Sequence, residues 1–140
     1  MYGGRMRCNV AADGTINAFY GDNNYTEDGS NGQVMIYQPK FYYQRAPLKL
    51  NDKIVRHETL ILSSVKKSGF KIHPLFDAGN NEEYDYVLLS AYEGTLNNNI
   101  LSSIVGAQPM SNVTIANAEL YARARGDGWH IMNMAAVSAN

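Results

Sequence analysis

The run QVMIYQPKFYYQR, residues 33 to 45, places Met35, Tyr37, Phe41 and Tyr43 on one side of an extended backbone and Val34, Ile36 and Tyr42 on the other. Period-two alternation rich in β-branched and aromatic residues predicts a strand. Pro39 cannot donate to a ladder, so it marks an edge, a bulge or the end of a first strand. A second β-rich stretch runs from Arg56 to Val65 and stops at Lys66-Lys67-Ser68-Gly69. Phe70 to Pro74 alternates briefly, a polar turn spans Asp77 to Glu83, and Tyr84 to Tyr92 resumes as a longer strand. There Val87, Leu89 and Ala91 face one way and Tyr84, Tyr86, Leu88 and Tyr92 the other. Both faces are apolar, which predicts a central strand. The natural pairing is a hairpin of 70–74 with 84–92.

Outside this region the period weakens. Turn formers crowd residues 1–32, at Gly3-Gly4, Asp13-Gly14, Gly21 to Asn24 and Asp28 to Gly32, with one short strand over Thr15 to Tyr20. A loop-rich N-terminal segment is expected. Residues 94–113, with Asn97-Asn98-Asn99, Gly106 and Pro109, also look like loop. Helix enters late: Thr114 suits an N-cap, Ile115, Ala118, Tyr121 and Ala122 share one face, and Gly126 is placed to stop the helix. An apolar segment from Ile131 to Ala139 begins a second helix. Strands first and helices last predict an α+β fold. One domain, 1–140, is expected, with a loop-rich 1–32, a sheet over 33–92 and a helical 114–140.

Composition changes this picture in one respect. Of 140 residues, 45% are hydrophobic and 18% charged, but ten are tyrosine against one Trp and four Phe. Tyrosine buries a ring and keeps its hydroxyl wet, which suits sheets and contact surfaces. The formal net charge is −1 and the basic residues are scattered, so no phosphate-neutralising face exists and a nucleic-acid partner is not expected. Cys8 is the single cysteine, which excludes an intrachain disulfide and a thiolate zinc site. No signal-peptide run opens the chain and no segment has the length of a membrane span, so a protein made in a reducing cytoplasm, with no membrane partner, is expected.

Candidate chemistry is sparse. His57, His73 and His130 lie far apart and form no metal-ligand spacing. There is neither a G-x-S-x-G elbow nor a P-loop. The acidic residues around Asp22 to Asp28 miss the spacing of a calcium loop. Glu93 is free to pair with an arginine near the helix. Arg125-Gly126-Asp127 matches an adhesion tripeptide, yet Gly126 serves as a helix stop and Trp129 and Ile131 follow at once, so the match is expected to be incidental. No metal, cofactor or catalytic residue is predicted.

Four long segments together resemble a known group: RCNVAADGTINAFYGDNNYTEDGSNGQVMIYQPKFYY (7–43), GFKIHPLF (69–76), YDYVLLSAYEG (84–94) and AELYARARGDGWHIM (118–132). They are similar to bacteriophage and prophage tail or fibre proteins that carry a C-type-lectin-like domain, the fold shared with formylglycine-generating enzymes. The resemblance implies a twisted antiparallel sheet with long loops and one or two C-terminal helices. Its framework would be Tyr121, Gly126, Gly128, Trp129 and His130, with the tryptophan packed inside. In that family a helix continues well past the point where this chain ends, so a truncated or divergent member, or a remaining domain on a separate chain, is expected. The oxidase branch uses late cysteines, the sulfoxide-synthase branch a His/Glu cluster, and the lectins an acidic calcium site; this chain matches none of them. The resemblance therefore implies a non-enzymatic virion protein of the tail, baseplate or a fibre, which contacts the bacterial surface. Its partners would be a glycan or protein receptor, other virion proteins and further copies of itself, with a trimer among the expected forms. A purely architectural capsid or head-fibre decoration is the alternative, and a degenerate formylglycine-generating-type enzyme the third. The loops 77–83 and 94–113 are the candidate contact surface, through Asn80, Asn81, Asn97, Asn98 and Asn99.

Overall fold

The alternating run of residues 33–45 becomes two strands in the computed structural model, which describes residues 4–139. Gly3 of the expected Gly3-Gly4 turn, and Asn140, lie outside the described residues. The fold is mixed, mostly antiparallel strands with two short helices, in the α+β order that the sequence implies. Pro39 ends β3 (Gln33–Pro39), and β4 (Tyr42–Leu50) begins three residues later. β3 is an inner strand of a four-stranded antiparallel sheet. Beside it lie β1 (Met6–Val10) and β9 (Tyr86–Ser90), and β2 (Ile16–Phe19) pairs outside β1, giving the order β2-β1-β3-β9. β1 falls in the segment expected to be loop-rich. Its Cys8, Asn9 and Val10 carry no exposed surface, and the inward Asn9 is what hides its period from the sequence.

Two expectations about pairing are corrected. β9 is an edge strand, not a central one, and its partner is β3, not residues 70–74. β6 (Lys71–Ile72) instead pairs with Tyr42 and Tyr43 at the foot of β4. The reason lies between them. His73 caps a 3₁₀ turn, Pro74–Phe76, its Nδ1 accepting from the Leu75 amide at 3.3 Å. Phe76 is fully buried against Phe41. The chain turns there to anchor an aromatic ring, and the short hairpin of β7 (Asp77–Gly79) and β8 (Glu82–Glu83) follows.

The expected β-rich stretches form a hairpin, in which β4 continues to Leu50 and pairs with β5 (Lys53–Ser63), and the stretch 94–113 expected to be loop contains another, β10 (Thr95–Asn97) with β11 (Ile100–Ser102). Their two-residue turns, Asn51-Asp52 and Asn98-Asn99, and Asn80-Asn81 between β7 and β8, have φ between 49° and 66° at both positions. Two positive φ values define the turn whose twist matches antiparallel strands, and asparagine tolerates them. α1 (Ile115–Arg123) starts at Thr114, whose Oγ1 accepts from the Asn117 amide at 3.2 Å. Its inner face is Ala118, Tyr121 and Ala122, and Ile115 points outward at 79% exposure. α2 (Met134–Ala139) begins only after Asn133, which caps the Ala136 amide at 2.9 Å. Among the described residues no helix is long and apolar enough to cross a membrane.

The two faces of the main sheet are covered differently. On one, Cys8, Val10 and Met35 form a core cluster joined by Ile16, Phe19, Tyr37, Leu88 and Trp129. On the other, buried polar side chains act as extra backbone. Asn9 exchanges two bonds with Thr26, 2.7 and 2.9 Å, and so lays the loop after β2 across the sheet. Where β9 peels away after Ala91, Ser103 takes its place beside β3. The Val34 amide donates to Ser103 O at 2.9 Å, the Ser103 hydroxyl donates to Val34 O at 2.7 Å, and Gln33 Oε1 accepts from the Ser103 amide at 2.7 Å.

Entry into β3 is tight. A methyl on Gly32, whose φ is 115°, would lie 2.6 Å from Val10 O. Gly32→Ala should therefore cost about 1–3 kcal/mol by forcing β1 and β3 apart. Urea unfolding would show a lower midpoint with an unchanged slope; an unchanged midpoint would refute the close approach.

Candidate functional site

Alternation along β1 sends Arg7 and Asn9 to the face opposite Cys8. Arg7 Nη1 meets Glu27 Oε1 at 2.8 Å, and the Tyr25 hydroxyl donates to the same oxygen at 2.8 Å. The Tyr92 hydroxyl donates to Glu27 Oε2, and the Arg7 guanidinium lies 5.4 Å over the Tyr92 ring. Burial pushes the Glu27 carboxyl up, but the bonds from Tyr92, Tyr25 and Arg7 outweigh it and leave the group below its ordinary value. The Tyr25 hydroxyl is pushed well above its ordinary value by burial and by Glu27, and Tyr92 is raised chiefly by its bond to Glu27. Both carboxylate oxygens are filled and both phenols hold their protons more tightly. This cluster is a clamp between β1, the loop after β2 and the end of β9, not an acid–base pair.

On the core face, three aromatic residues from β2, β3 and β9 form a row, with Met6 of β1 beside them. Phe19 of β2 meets Tyr37 of β3 edge-on at 5.6 Å, and Tyr37 stacks on Tyr86 of β9 at 4.7 Å. Met6 of β1 lies opposite Tyr37 in the ladder. Phe19 and Tyr37 pack against the same Cys8, Val10 and Met35 cluster as Trp129, so the row is continuous with the core. Met6 and Tyr86 stay 44% and 40% exposed, so the row is a partly open apolar surface whose rings are braced by one another. Such surfaces meet flat apolar ligands or a partner's side chains at low entropic cost.

Beside the row, β9 borders an open cleft of about 1250 Å³. Every residue from Tyr84 to Gly94 lines it, and the opposite wall is the segment from Asp127 to Met132 with Ala135 and Ala136 of α2. Asp77, Glu83, Asp85, Glu93 and Asp127 reach it, and no Lys or Arg does. Lys40 pairs with Asp85 at 2.9 Å, and Lys66 with Glu83 at 3.3 Å. Asp77, Glu93 and Asp127 have no cationic partner among the described residues, so the expected Glu93–arginine pair does not form.

The residues singled out by sequence fall in separate places. Asn80, Asn81, Asn98 and Asn99 are the central turn residues, and Asn97 ends β10, so the backbone accounts for the asparagines. Arg125 is turned inward: its Nε and Nη2 donate to Leu101 O at 3.1 and 2.8 Å, and Nη2 to Ser102 Oγ at 2.8 Å. A tripeptide whose arginine is spent in this way presents no adhesion loop. Trp129 donates to Ala12 O at 2.7 Å, and a methyl on Gly126 would lie 2.9 Å from the same oxygen. Tyr121 is half-buried on α1, Gly128 turns the chain with a φ of 81°, and His130 is exposed. Cys8 is buried, with its thiol pushed up to about 11 by desolvation. No group of three or more His, Cys, Asp or Glu among the described residues is placed to hold a metal ion. The excess of tyrosine is the one signal of the row and the cleft that the sequence carries.

Glu27→Gln removes the charge that three donors share, and a loss of about 1.5–3 kcal/mol is expected near neutral pH. Because the folded pKa is lowered, this stabilisation is present above the ordinary carboxylate range and is lost as pH falls through the lowered value. Denaturation curves of wild type and variant should therefore converge below roughly pH 4.3; a gap that persists in acid would refute the clamp. No family model, curated protein or solved structure matches the chain.

Proposed function

We propose that the chain is a non-enzymatic binding protein of a bacteriophage virion, in the tail, baseplate or a fibre, and that it contacts the bacterial surface through the aromatic row of its main sheet. The row carries the proposal: Phe19 and Tyr37 are half-buried against the core cluster, and Tyr86 and Met6 carry the same apolar strip out to the surface, 40% and 44% exposed. Sugar rings and apolar receptor residues both fit such a strip. The resemblance of the four long segments to phage lectin-like proteins supports the virion setting and the finer, C-type-lectin-like assignment of the fold. Trp129, partly buried against the Cys8, Val10 and Met35 cluster after α1, supports that assignment. The buried, weakly acidic thiol of Cys8 is poorly suited to the cysteine chemistry of the oxidase branch.

Labelled protein is expected to adsorb to bacterial cells or to isolated cell-wall glycans in a panel. Tyr37→Ala should weaken that adsorption at least about tenfold, as loss of a hot-spot aromatic does. Asn98→Gly with Asn99→Gly keeps the turn while removing both side chains, and should leave adsorption unchanged. Folding of each variant is checked by circular dichroism. Adsorption that survives Tyr37→Ala in a folded variant, or a wild type that binds no member of the panel, would overturn the assignment.

A further inference from the structure

The β4–β5 hairpin is an arm. Only Tyr42 and Tyr43, at its foot, pair with a third strand, β6. From Arg45 to Glu58 its ion pairs and hydrogen bonds stay within the hairpin, including the pair Arg45–Glu58 at 2.9 Å. β5 is an edge strand of eleven residues whose second edge no strand pairs with among the described residues. Its side chains stay in solvent, Ile54, Val55, Leu60, Ile61 and Leu62 all between 41% and 57% exposed. A two-stranded ribbon is marginal in water, and a long apolar edge strand seeks another edge.

The same chain holds a complementary edge. β9 pairs with β3 on one side only, and from Tyr86 to Ser90 it makes no backbone hydrogen bond on the other side among the described residues. That open edge faces the cleft, where Tyr84 and Met132 supply exposed apolar surface. The charges also match. The hairpin has four basic residues, Arg45, Lys49, Lys53 and Arg56, against Asp52 and Glu58, whereas the cleft is lined by five carboxylates and no Lys or Arg. Two arms laid side by side would bring like charges together.

We propose that β5 of one copy adds to the β9 edge in the cleft of a second copy, which makes a head-to-tail assembly of this chain. Backbone ladder bonds would supply register, apolar side chains affinity, and the basic arm against Glu93 and Asp127 would exclude the arm-to-arm alternative. Each copy has one arm and one cleft, so the contact is heterologous and closes into a ring or extends as a filament according to its rotation. Assembly needs no bacterial surface and is measured apart from adsorption.

The test is sedimentation and light scattering of the full chain. Wild type should form oligomers whose mass rises with concentration and falls with added salt. Leu60→Glu with Leu62→Glu, both at exposed positions, should raise the dissociation constant at least about tenfold. Lys53→Glu with Arg56→Glu is a second arm variant that keeps the apolar residues and should do the same. Glu93→Lys with Asp127→Lys should also dissociate the assembly, from the cleft side. Mixing a dissociated arm variant with the cleft variant restores one intact contact and should give a mixed dimer that neither forms alone. A wild type that remains monomeric at high micromolar concentration overturns the proposal. So does a cleft variant that stays fully assembled, the result that arm-to-arm pairing would give.

Discussion

The arrangement depends on a few buried polar side chains that finish the sheet where backbone runs out. β3 needs partners along both edges, yet β9 leaves it after Ala91. An unpaired buried amide or carbonyl costs as much as a lost hydrogen bond, so the gap cannot stay empty. Ser103 fills it with its amide, carbonyl and hydroxyl, and Gln33 secures the far side. One residue thereby fixes where residues 91–103 cross the sheet. The Ser103 hydroxyl also accepts from the Tyr92 amide at 3.1 Å, which sets the direction in which Tyr92 reaches Glu27. Asn9 does the corresponding work for the loop after β2. The clamp, the course of β9 and the cleft beside it all follow from these contacts.

The sequence revealed those parts of the fold whose side chains obey a simple period. The run 33–45, its break at Pro39 and the helix cap at Thr114 were readable because each rests on local stereochemistry, whereas Trp129, expected inside, is only partly buried. β1 was not, since Asn9 faces inward as a stand-in for backbone and spoils the alternation. The β9 position was misjudged for a related reason. Apolar residues on both faces mark a strand covered on both faces, but they do not say whether both of its edges are paired. The pairing of β6 with β4 depended on the capped turn at His73, whose driving force is the burial of Phe76 several residues away.

Chemistry was legible to a lesser degree. The tyrosine excess signalled contact surface, but which rings share a surface depends on register across four strands, and a single chain of letters does not carry register. The asparagine pairs looked like adaptable loop chemistry and proved to be the residues that two consecutive positive φ values select. Arg125 shows the opposite case, an ordinary-looking surface arginine held inward by Leu101 O and Ser102. In each instance the backbone's requirements were satisfied first, and side-chain roles followed from what was left.

Cys8 gives this architecture a built-in gauge. Its thiol has no exposed surface, donates weakly to Met35 O at 3.7 Å, and sits in a strand held on both edges by β2 and β3. A thiol reagent can reach it only when the side chains packed over that face, Ile16, Phe19, Tyr37, Leu88 and Trp129, move aside, and its raised pKa makes stray reaction through the closed state slow. The rate at which the single cysteine is modified is thus a reading of how often the core face of the main sheet is uncovered, separate from any motion of the arm.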